Sequence, residues 1–450
     1  MSVEREHDVV VIGAGIAGLT AAWNLRDKDV LVLEQSDRTG GRIRSEPRGG
    51  LWLNFGAHVF SGPASASGRL LSSLGVESAP VPGRLAAVSL NGRIVSSGPV
   101  ELFPFRLPLS LGSRLALLRA GVRLRLAVRR YAKVAAPRAG EDPAVRQRRM
   151  LEFLDDRSFT EFAGGLPDDV DALFRSTLTR SSGEPEELSA GYGVGYFHLV
   201  WNRSEGLSRN ILGGSGLFTD ALARGIGTER IVTGATVSHV VAETGGVRAQ
   251  YVVDGAELEV RARAAVVATP AFVTREIVAG LPTDTAGALA AIPYGPYVVG
   301  AILTGEQEPM PWDRIYALAT PKRSFSMLFN TANVVHGHGG TRPPGGSLMV
   351  YAAAGCARRL AGLDDAAIAE RFVADLHDVL PRSRGLVEEV VIQRWERGLP
   401  YPRVGRSSLQ PALTRQLAPI HLAGDYLGTW YTETAVQTAT AAAAAVRARL

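Results

Sequence analysis

Cysteine and lysine are both nearly absent from this chain. Cys356 is the single cysteine, so neither an internal disulfide framework nor a cluster of metal-binding thiolates can be assembled. Lysine occurs only at Lys28, Lys133 and Lys322, and the formal net charge of +5 is carried by arginine. No module interleaves these basic residues with aromatic ones, so nucleic-acid binding is not expected. No apolar stretch reaches the roughly 18 residues that a spanning helix needs. The start, Met1 to Asp8, is charged and lacks the apolar core of a signal peptide, so a cytoplasmic protein is expected. HExxH, paired CxxC and nucleophile-elbow patterns are missing as well, which leaves metal-dependent and acyl-transfer chemistry without a carrier. His336 and His338 stand close together but lack a third ligand, and no metal is expected. At 450 residues the chain exceeds what one hydrophobic core usually serves, so two domains are expected.

What is present is a nucleotide-binding pattern at the N-terminus. Val9-Val10-Val11-Ile12 is continuously apolar, as a strand buried on both faces must be. Gly13-Ala14-Gly15-Ile16-Ala17-Gly18 follows, then a helical stretch from Leu19 to Leu25, then a second apolar run, Val30 to Leu33, closed by Glu34. In such a unit Gly13 makes the tight turn, Gly15 lets the backbone approach a pyrophosphate, and Gly18 lets helix pack on strand. The helix N-terminus offers free N–H groups to the phosphates. Glu34 can accept hydrogen bonds from ribose hydroxyls, and an acid there disfavours a 2′-phosphate. The pattern by itself serves NAD and FAD alike.

Ser36-Asp37-Arg38-Thr39-Gly40-Gly41-Arg42-Ile43 resembles the GGR segment of the flavin amine oxidase superfamily, which includes monoamine oxidases, protoporphyrinogen oxidases and the phytoene and squalene desaturases. The resemblance implies FAD, held non-covalently because Cys356 is far in sequence from the closing motif, with Arg42 beside the pyrophosphate. Asn54-Phe55-Gly56-Ala57-His58-Val59-Phe60 is similar to the segment that passes the isoalloxazine, where small residues admit the ring. Ile211 to Leu217, with Gly213, Gly214 and Gly216, resembles the GG turn that re-enters the FAD domain. Thr233 to Val240 resembles the strand that touches adenine through Val237, and Tyr251 to Glu257 reads as a hairpin turning at Asp254-Gly255. Ala265 to Pro270 reads as another buried strand. Ile420-His421-Leu422-Ala423-Gly424-Asp425, the loop to Trp430, and an alanine-rich helix from Tyr431 to Arg447 resemble the closing motif, although Thr434 and Thr438 stand where the family pattern has glycines.

The implied fold is α/β: a Rossmann-type FAD-binding domain, residues 1–62, 205–280 and 388–450, interleaved with an α+β substrate-binding domain, residues 63–204 and 281–387, in the amine-oxidase-like two-domain architecture. The implied cofactor contacts are Gly13, Gly15, Ile16, Ala17, Gly18, Glu34, Gln35, Gly41, Arg42, Gly56, Ala57, His58, Val237, Gly424, Asp425, Tyr431, Thr432 and Ala435. Residues 111–135 read as a helix with Leu117, Ala120, Leu124, Val128 and Tyr131 on one face and arginines elsewhere. A packed helix with a solvated basic side is expected in preference to a peripheral membrane contact. Asp155-Asp156 reads as a solvent-facing turn. Gly191 to Trp201, the densest aromatic stretch, suits the flavin's open face and core packing equally.

The implied activity is FAD-dependent removal of a hydride from a small organic substrate, oxidising a C–N or C–C bond, with secondary metabolism as one setting for it. A redox-neutral isomerase or mutase is the alternative, and a flavin-binding interaction protein without turnover is a third. Tyr431 aligns with one of the two aromatics that cradle the amine in the amine-oxidising branch; the other has no clear equivalent. His58 is a candidate general base. Tyr294 to Trp312 lacks the lysine that branch places near the flavin, and Glu306, Glu308 and Asp313 suggest a negative or neutral surround, unless Arg314 or the N-terminus of the closing helix reaches the flavin. Slow reoxidation by oxygen is therefore expected, with oxygen or a quinone-like carrier as electron acceptor.

Overall fold

The computed structural model describes residues 6–81, 87–201, 207–336, 342–429 and 431–450. The expectations about the chain start, His338 and Trp430 lie outside the described residues.

The central strand of the first sheet is Glu6–Ile12, in which Val9 to Ile12 are all buried. Val30–Leu33 pairs with it in parallel, and Ile231–Val232 lies beyond. Ala256–Val267 flanks it on the other side, also parallel. The far edge of that long strand serves two partners. Gly246–Val253 pairs antiparallel with Ala256 to Ala262, and Ile420–Leu422 pairs parallel with Ala265 to Val267. The three separated stretches thus meet in one sheet. The hairpin turns at Asp254 (φ 50°) and Gly255 (φ 77°), the left-handed pair that a two-residue I′ turn requires. Helix Ile16–Asn24 packs against the closing helix Tyr431–Arg449 through Leu19, Ala22, Ala439, Ala443 and Val446. Small side chains let these helices approach closely and cover the sheet.

The second sheet is mixed. Its strand order is Val387–Pro400, Tyr294–Thr304, Gly346–Ala353, Met327–Asn330, Ala317–Ala319, Ala87–Leu90 and Arg93–Val95. Only the pairing of Ala317–Ala319 with Ala87–Leu90 is parallel. The expected boundary at residue 388 needs correction. Val387–Pro400 pairs with Tyr294–Thr304 from Val387 to Pro400 and so belongs to the second sheet. The third return to the first sheet comes only with Ile420–Leu422.

A helical layer completes the second half. Helix Leu111–Ala135 buries Ala120, Leu124, Ala127, Val128 and Tyr131, which pack on helix Ala190–Trp201 through Tyr192, Val194 and Phe197. The solvent side is not purely basic, since Leu111, Leu115, Val122 and Leu126 are exposed on it. Asp155 also departs from expectation: it is buried and accepts a 2.7 Å hydrogen bond from the Ser407 N–H. Among the described residues no helix is long and apolar enough to cross a membrane.

Candidate active site

The glycine turn between the first strand and helix has a different reason for each glycine. Gly13 has φ 95°, a conformation that disfavours a side chain. A Cβ on Gly18 would lie 1.8 Å from the Gly13 carbonyl oxygen, so this glycine lets the helix seat on the turn. Gly15 is unlike both. Its backbone is ordinary extended chain (φ −71°, ψ 178°), and an added Cβ would meet nothing within 4 Å. Neither conformation nor internal packing asks for glycine there, which leaves room for something from outside the chain. The helix that begins at Ile16 has no side-chain cap, so its first N–H groups face the same open cradle. Glu34 closes one end; its two carboxylate oxygens accept from the Ala14 N–H at 2.6 Å and the Ser36 N–H at 2.9 Å.

The cradle opens into one cavity of about 550 Å³. Of the residues expected at the cofactor, Gly13, Gly15, Ile16, Ala17, Glu34, Gln35, Gly41, Arg42, Gly56, Ala57, His58, Val237, Gly424, Asp425, Tyr431, Thr432 and Ala435 all line it. Gly18 does not, because its role is packing. Gly56 has a structural reason as well: its Cβ would come 2.0 Å from the Arg42 carbonyl oxygen. Arg42 donates to the Gly398 carbonyl oxygen and forms a 2.9 Å ion pair with Asp425. Burial works against the Arg42 charge, but the Asp425 carboxylate outweighs it and raises the guanidinium above its ordinary value.

At the other end the cavity widens into an aromatic chamber walled by Tyr196, Tyr297, Phe329, Tyr351, Trp395 and Tyr431. The Tyr192 hydroxyl donates to that of Tyr431, and burial raises both phenols well above their usual range, so both stay protonated. The second aromatic that the sequence left without an equivalent has candidates here in Trp395, Tyr297 and Tyr351. Trp395 is oriented by a 2.7 Å hydrogen bond from its indole N–H to the Phe55 carbonyl. Of the aromatic stretch on helix Ala190–Trp201, Tyr196 and Leu199 reach the cavity, while Tyr192 and Phe197 pack in the core. The stretch thus contributes both to the cavity wall and to the core.

His58 lines the chamber with its ring 4.6 Å from that of Phe329. Its Nδ1 sits 3.1 Å from the Gly56 carbonyl oxygen, which can only accept, so Nδ1 carries the proton and Nε2 presents a lone pair. Nε2 is buried without a partner. Burial first, and Arg180 in addition, push the imidazole down to about 4, against the Gly56 hydrogen bond. His58 is therefore a neutral hydrogen-bond acceptor near pH 7 and a weak base.

The closing helix carries the departures from the family pattern. Thr438 Oγ1 accepts from the Gly424 N–H at 3.0 Å and donates to the Thr434 carbonyl at 2.8 Å, so a threonine secures the turn at Gly424. Glu433 caps the helix Ala66–Ser73 through the Ala66 N–H (2.7 Å) and the Ser67 hydroxyl (2.7 Å). Spacing does not reveal that role, since the partners lie hundreds of positions apart. The expected negative surround also needs correction. Glu306 and Asp313 pair with Arg342 at 3.3 and 2.6 Å, and neither they nor Arg314 line the cavity. Arg180, for which no sequence motif spoke, is a cation at the aromatic wall, and Arg397 lines the cavity as well.

A flavin dinucleotide suits these residues. The Gly13–Ala17 turn and Arg42 would hold the diphosphate, Glu34 the ribose, Val237 the adenine, and Gly424 to Thr432 the flavin end. Cys356 is buried away from the cavity with its thiol against the Ser324 carbonyl, so it offers no covalent link. Fold and site together define a dinucleotide-binding α/β domain whose cavity continues under a second sheet. The sequence pattern of the flavin containing amine oxidoreductases matches residues 16–447, and the chain belongs to that family. It is similar to protoporphyrinogen oxidase 2 of Arabidopsis thaliana, with 33% identity over 21% of this chain and 20% of that protein. Coproporphyrinogen III oxidase of Mycobacterium bovis is 31% identical over 30% of this chain and 31% of its own. Putrescine oxidase of Kocuria rosea is 43% identical over 16% of each. These alignments therefore span under a third of the curated relatives' length. Among solved structures, a putrescine oxidase bound to putrescine superposes with a TM-score of 0.77 at 20% identity, covering 99% of both chains. Cyclohexylamine oxidase from Brevibacterium oxydans gives 0.76 at 20% identity, covering 98% of this chain and 99% of its own. At that identity the likeness shows the shared fold.

Proposed function

We propose that the protein oxidises a small organic substrate at a C–N or C–C bond, with Tyr431 and His58 at the reacting end of the chamber. The observation that carries this reading is the continuity of the cavity, from the Gly15 cradle to the aromatic wall at Tyr196, Tyr297 and Tyr431. When bound there, FAD supplies hydride acceptance. The chain's part is to position and to exclude water. Tyr431, held by Tyr192, orients the substrate body, and the His58 Nε2 lone pair accepts a substrate N–H or O–H. With this goes a division of labour. Residues 1–62, 205–280 and those after the strand Val387–Pro400 hold FAD, and the remainder holds substrate.

Electrons then pass to oxygen or to a quinone-like carrier. Arg180 and the first turn of the closing helix place positive potential at the chamber, which favours a developing anion such as superoxide. Oxygen is the acceptor this arrangement supports better. A single buried cysteine suits a cytoplasmic setting.

Anaerobic mixing of the FAD-loaded protein with amines, cyclic imines and polyenes tests the reading. Bleaching of the flavin absorption by one of them is the expected result. Turnover without net reduction, seen only after pre-reduction, would establish a redox-neutral isomerase or mutase instead. Photoreduced enzyme mixed with air-saturated buffer then identifies the acceptor: reoxidation only on adding a quinone would assign the carrier.

A further inference from the structure

Arg180 sits in the helical turn Thr179–Ser181, which follows helix Asp168–Leu178. The turn is tightly held. Thr179 Oγ1 donates to the Arg175 carbonyl at 2.8 Å, Ser181 Oγ donates to the Leu178 carbonyl at 2.6 Å, and the Tyr297 hydroxyl donates to the carbonyl of Arg180 itself. From this support the side chain enters the chamber. Its guanidinium carbon lies 5.4 Å from the centre of the Tyr196 ring and 5.3 Å from that of Phe329.

A guanidinium keeps its charge at any accessible pH. The groups around this one are tyrosines 196, 351, 297 and 431, and no carboxylate among the described residues pairs with it. Arg42 has Asp425 at 2.9 Å, Arg342 has Asp313 at 2.6 Å, and Arg149 has Glu141 at 2.6 Å, while the buried Arg406 donates to the Tyr426 carbonyl instead. Nor can a cavity acid serve. Glu34 is engaged by Ala14 and Ser36, Asp425 by Arg42, and Glu433 by Ala66 and Ser67. A charge held away from water without a counter-charge is unfavourable. The arrangement is set for an anion that arrives with the ligand.

Resting on the oxidoreductase reading above, we propose that the substrate carries a carboxylate and that Arg180 is the residue that binds it. The aromatic wall takes the apolar body, and the His58 Nε2 lone pair is left for a substrate N–H or O–H. One guanidinium set between the Tyr196 and Phe329 rings balances one negative charge, which suits a carboxylate better than a phosphate dianion. Its planar fork also matches carboxylate geometry. A simple amine without an acidic group brings a second positive charge toward Arg180 and is selected against.

The test is binding, followed through the perturbation of the flavin absorption spectrum in the FAD-loaded protein. The probes are benzoate, benzamide and benzylamine. Benzoate is expected to bind roughly tenfold or more tighter than either of the others, the scale of one charge-assisted contact. Arg180→Met should remove that preference and leave FAD content and benzamide affinity unchanged. Arg180→Lys, which keeps the charge, should retain part of it and serves if the methionine variant fails to fold. Equal binding of benzoate and benzamide by the unaltered protein overturns the proposal, as does undiminished benzoate binding by Arg180→Met. None of these readings needs turnover. Absence of bleaching by any substrate would defeat the oxidoreductase reading while the benzoate result stood, and the reverse holds equally.

Discussion

Arg42 Nη1 and Asp425 Oδ2 lie 2.9 Å apart, joining the segment that follows the second strand to the loop that precedes the closing helix. The Asp425 side chain is buried, and the pair lines the cavity where the diphosphate and flavin end would sit. Asp425→Ala leaves the Arg42 charge without its partner. Because the Arg42 side chain is 32% exposed, that loss costs about 1–3 kcal/mol, between the surface and the fully buried case. A clear fall in both denaturant midpoint and FAD affinity is expected. The double variant Arg42→Ala/Asp425→Ala should be less destabilised than the sum of the single changes. Additive effects in a double-mutant cycle would show that the two residues act independently.

Gly15→Val should fold yet fail to retain FAD, because its Cβ meets no protein atom within 4 Å and intrudes only on the cradle. Gly18→Val should lower thermal stability severely, since its Cβ would come 1.8 Å from the Gly13 carbonyl oxygen. Flavin absorbance per protein and the melting temperature separate the two. A yellow Gly15→Val protein would place the diphosphate elsewhere.

Glu34→Ala should weaken FAD binding without abolishing it. One or two hydrogen bonds to a charged acceptor are lost, about 1.5–3 kcal/mol. Titration of apoprotein with FAD measures this. A loss as complete as that of Gly15→Val would mean that Glu34 holds the Ala14 turn itself, through its 2.6 Å bond, rather than the ribose.

His58 gives a pH signature. Its folded value is pushed down to about 4 from 6.5. The contribution to stability is thus fully present above about 6.5 and is lost as pH falls toward 4, because the unfolded chain takes up the proton first. A shift of this size corresponds to about 3 kcal/mol. Denaturation midpoints measured from pH 7 to 4 should fall less steeply in His58→Asn than in the parent. Parallel curves would show that His58 is not the responsible group. The plot of kcat/KM against pH should carry no inflection near 6.5 from this residue.

Tyr431→Ala should slow flavin reduction by substrate while FAD content stays near that of the parent, because the side chain faces the chamber and is held by Tyr192. Stopped-flow reduction and the flavin-to-protein ratio read the two effects. A folded but colourless variant would assign Tyr431 to cofactor packing.

Val9 to Ile12, the Gly13–Gly18 turn and Glu34 could be placed from sequence because their contacts are local. A buried strand must be continuously apolar, a tight turn needs glycine, and the next strand brings its acid back to the same edge. The family resemblance extended this to Arg42, Gly56, Val237 and the Gly424–Ala435 loop, which all line one cavity. Thr438 shows how the family's glycine was replaceable: its hydroxyl takes over the Gly424 turn.

The chamber was decided by tertiary structure. Arg180, Tyr297, Phe329, Tyr351 and Trp395 come from a helix-ending turn and four strands of the second sheet, and converge only when that sheet closes over the first. Val387–Pro400 joined the second sheet because Tyr294–Thr304 offered it a complete antiparallel edge, against which sequence position carries no weight. Residues brought together across hundreds of positions leave no period or spacing to read. Sequence alone therefore marked the glycine cradle proposed for a dinucleotide, through contacts between near neighbours. Which charge faces the chamber was left to the packing of remote segments, because an arginine's role depends on whether an acid lies within reach, and only the folded chain sets that distance.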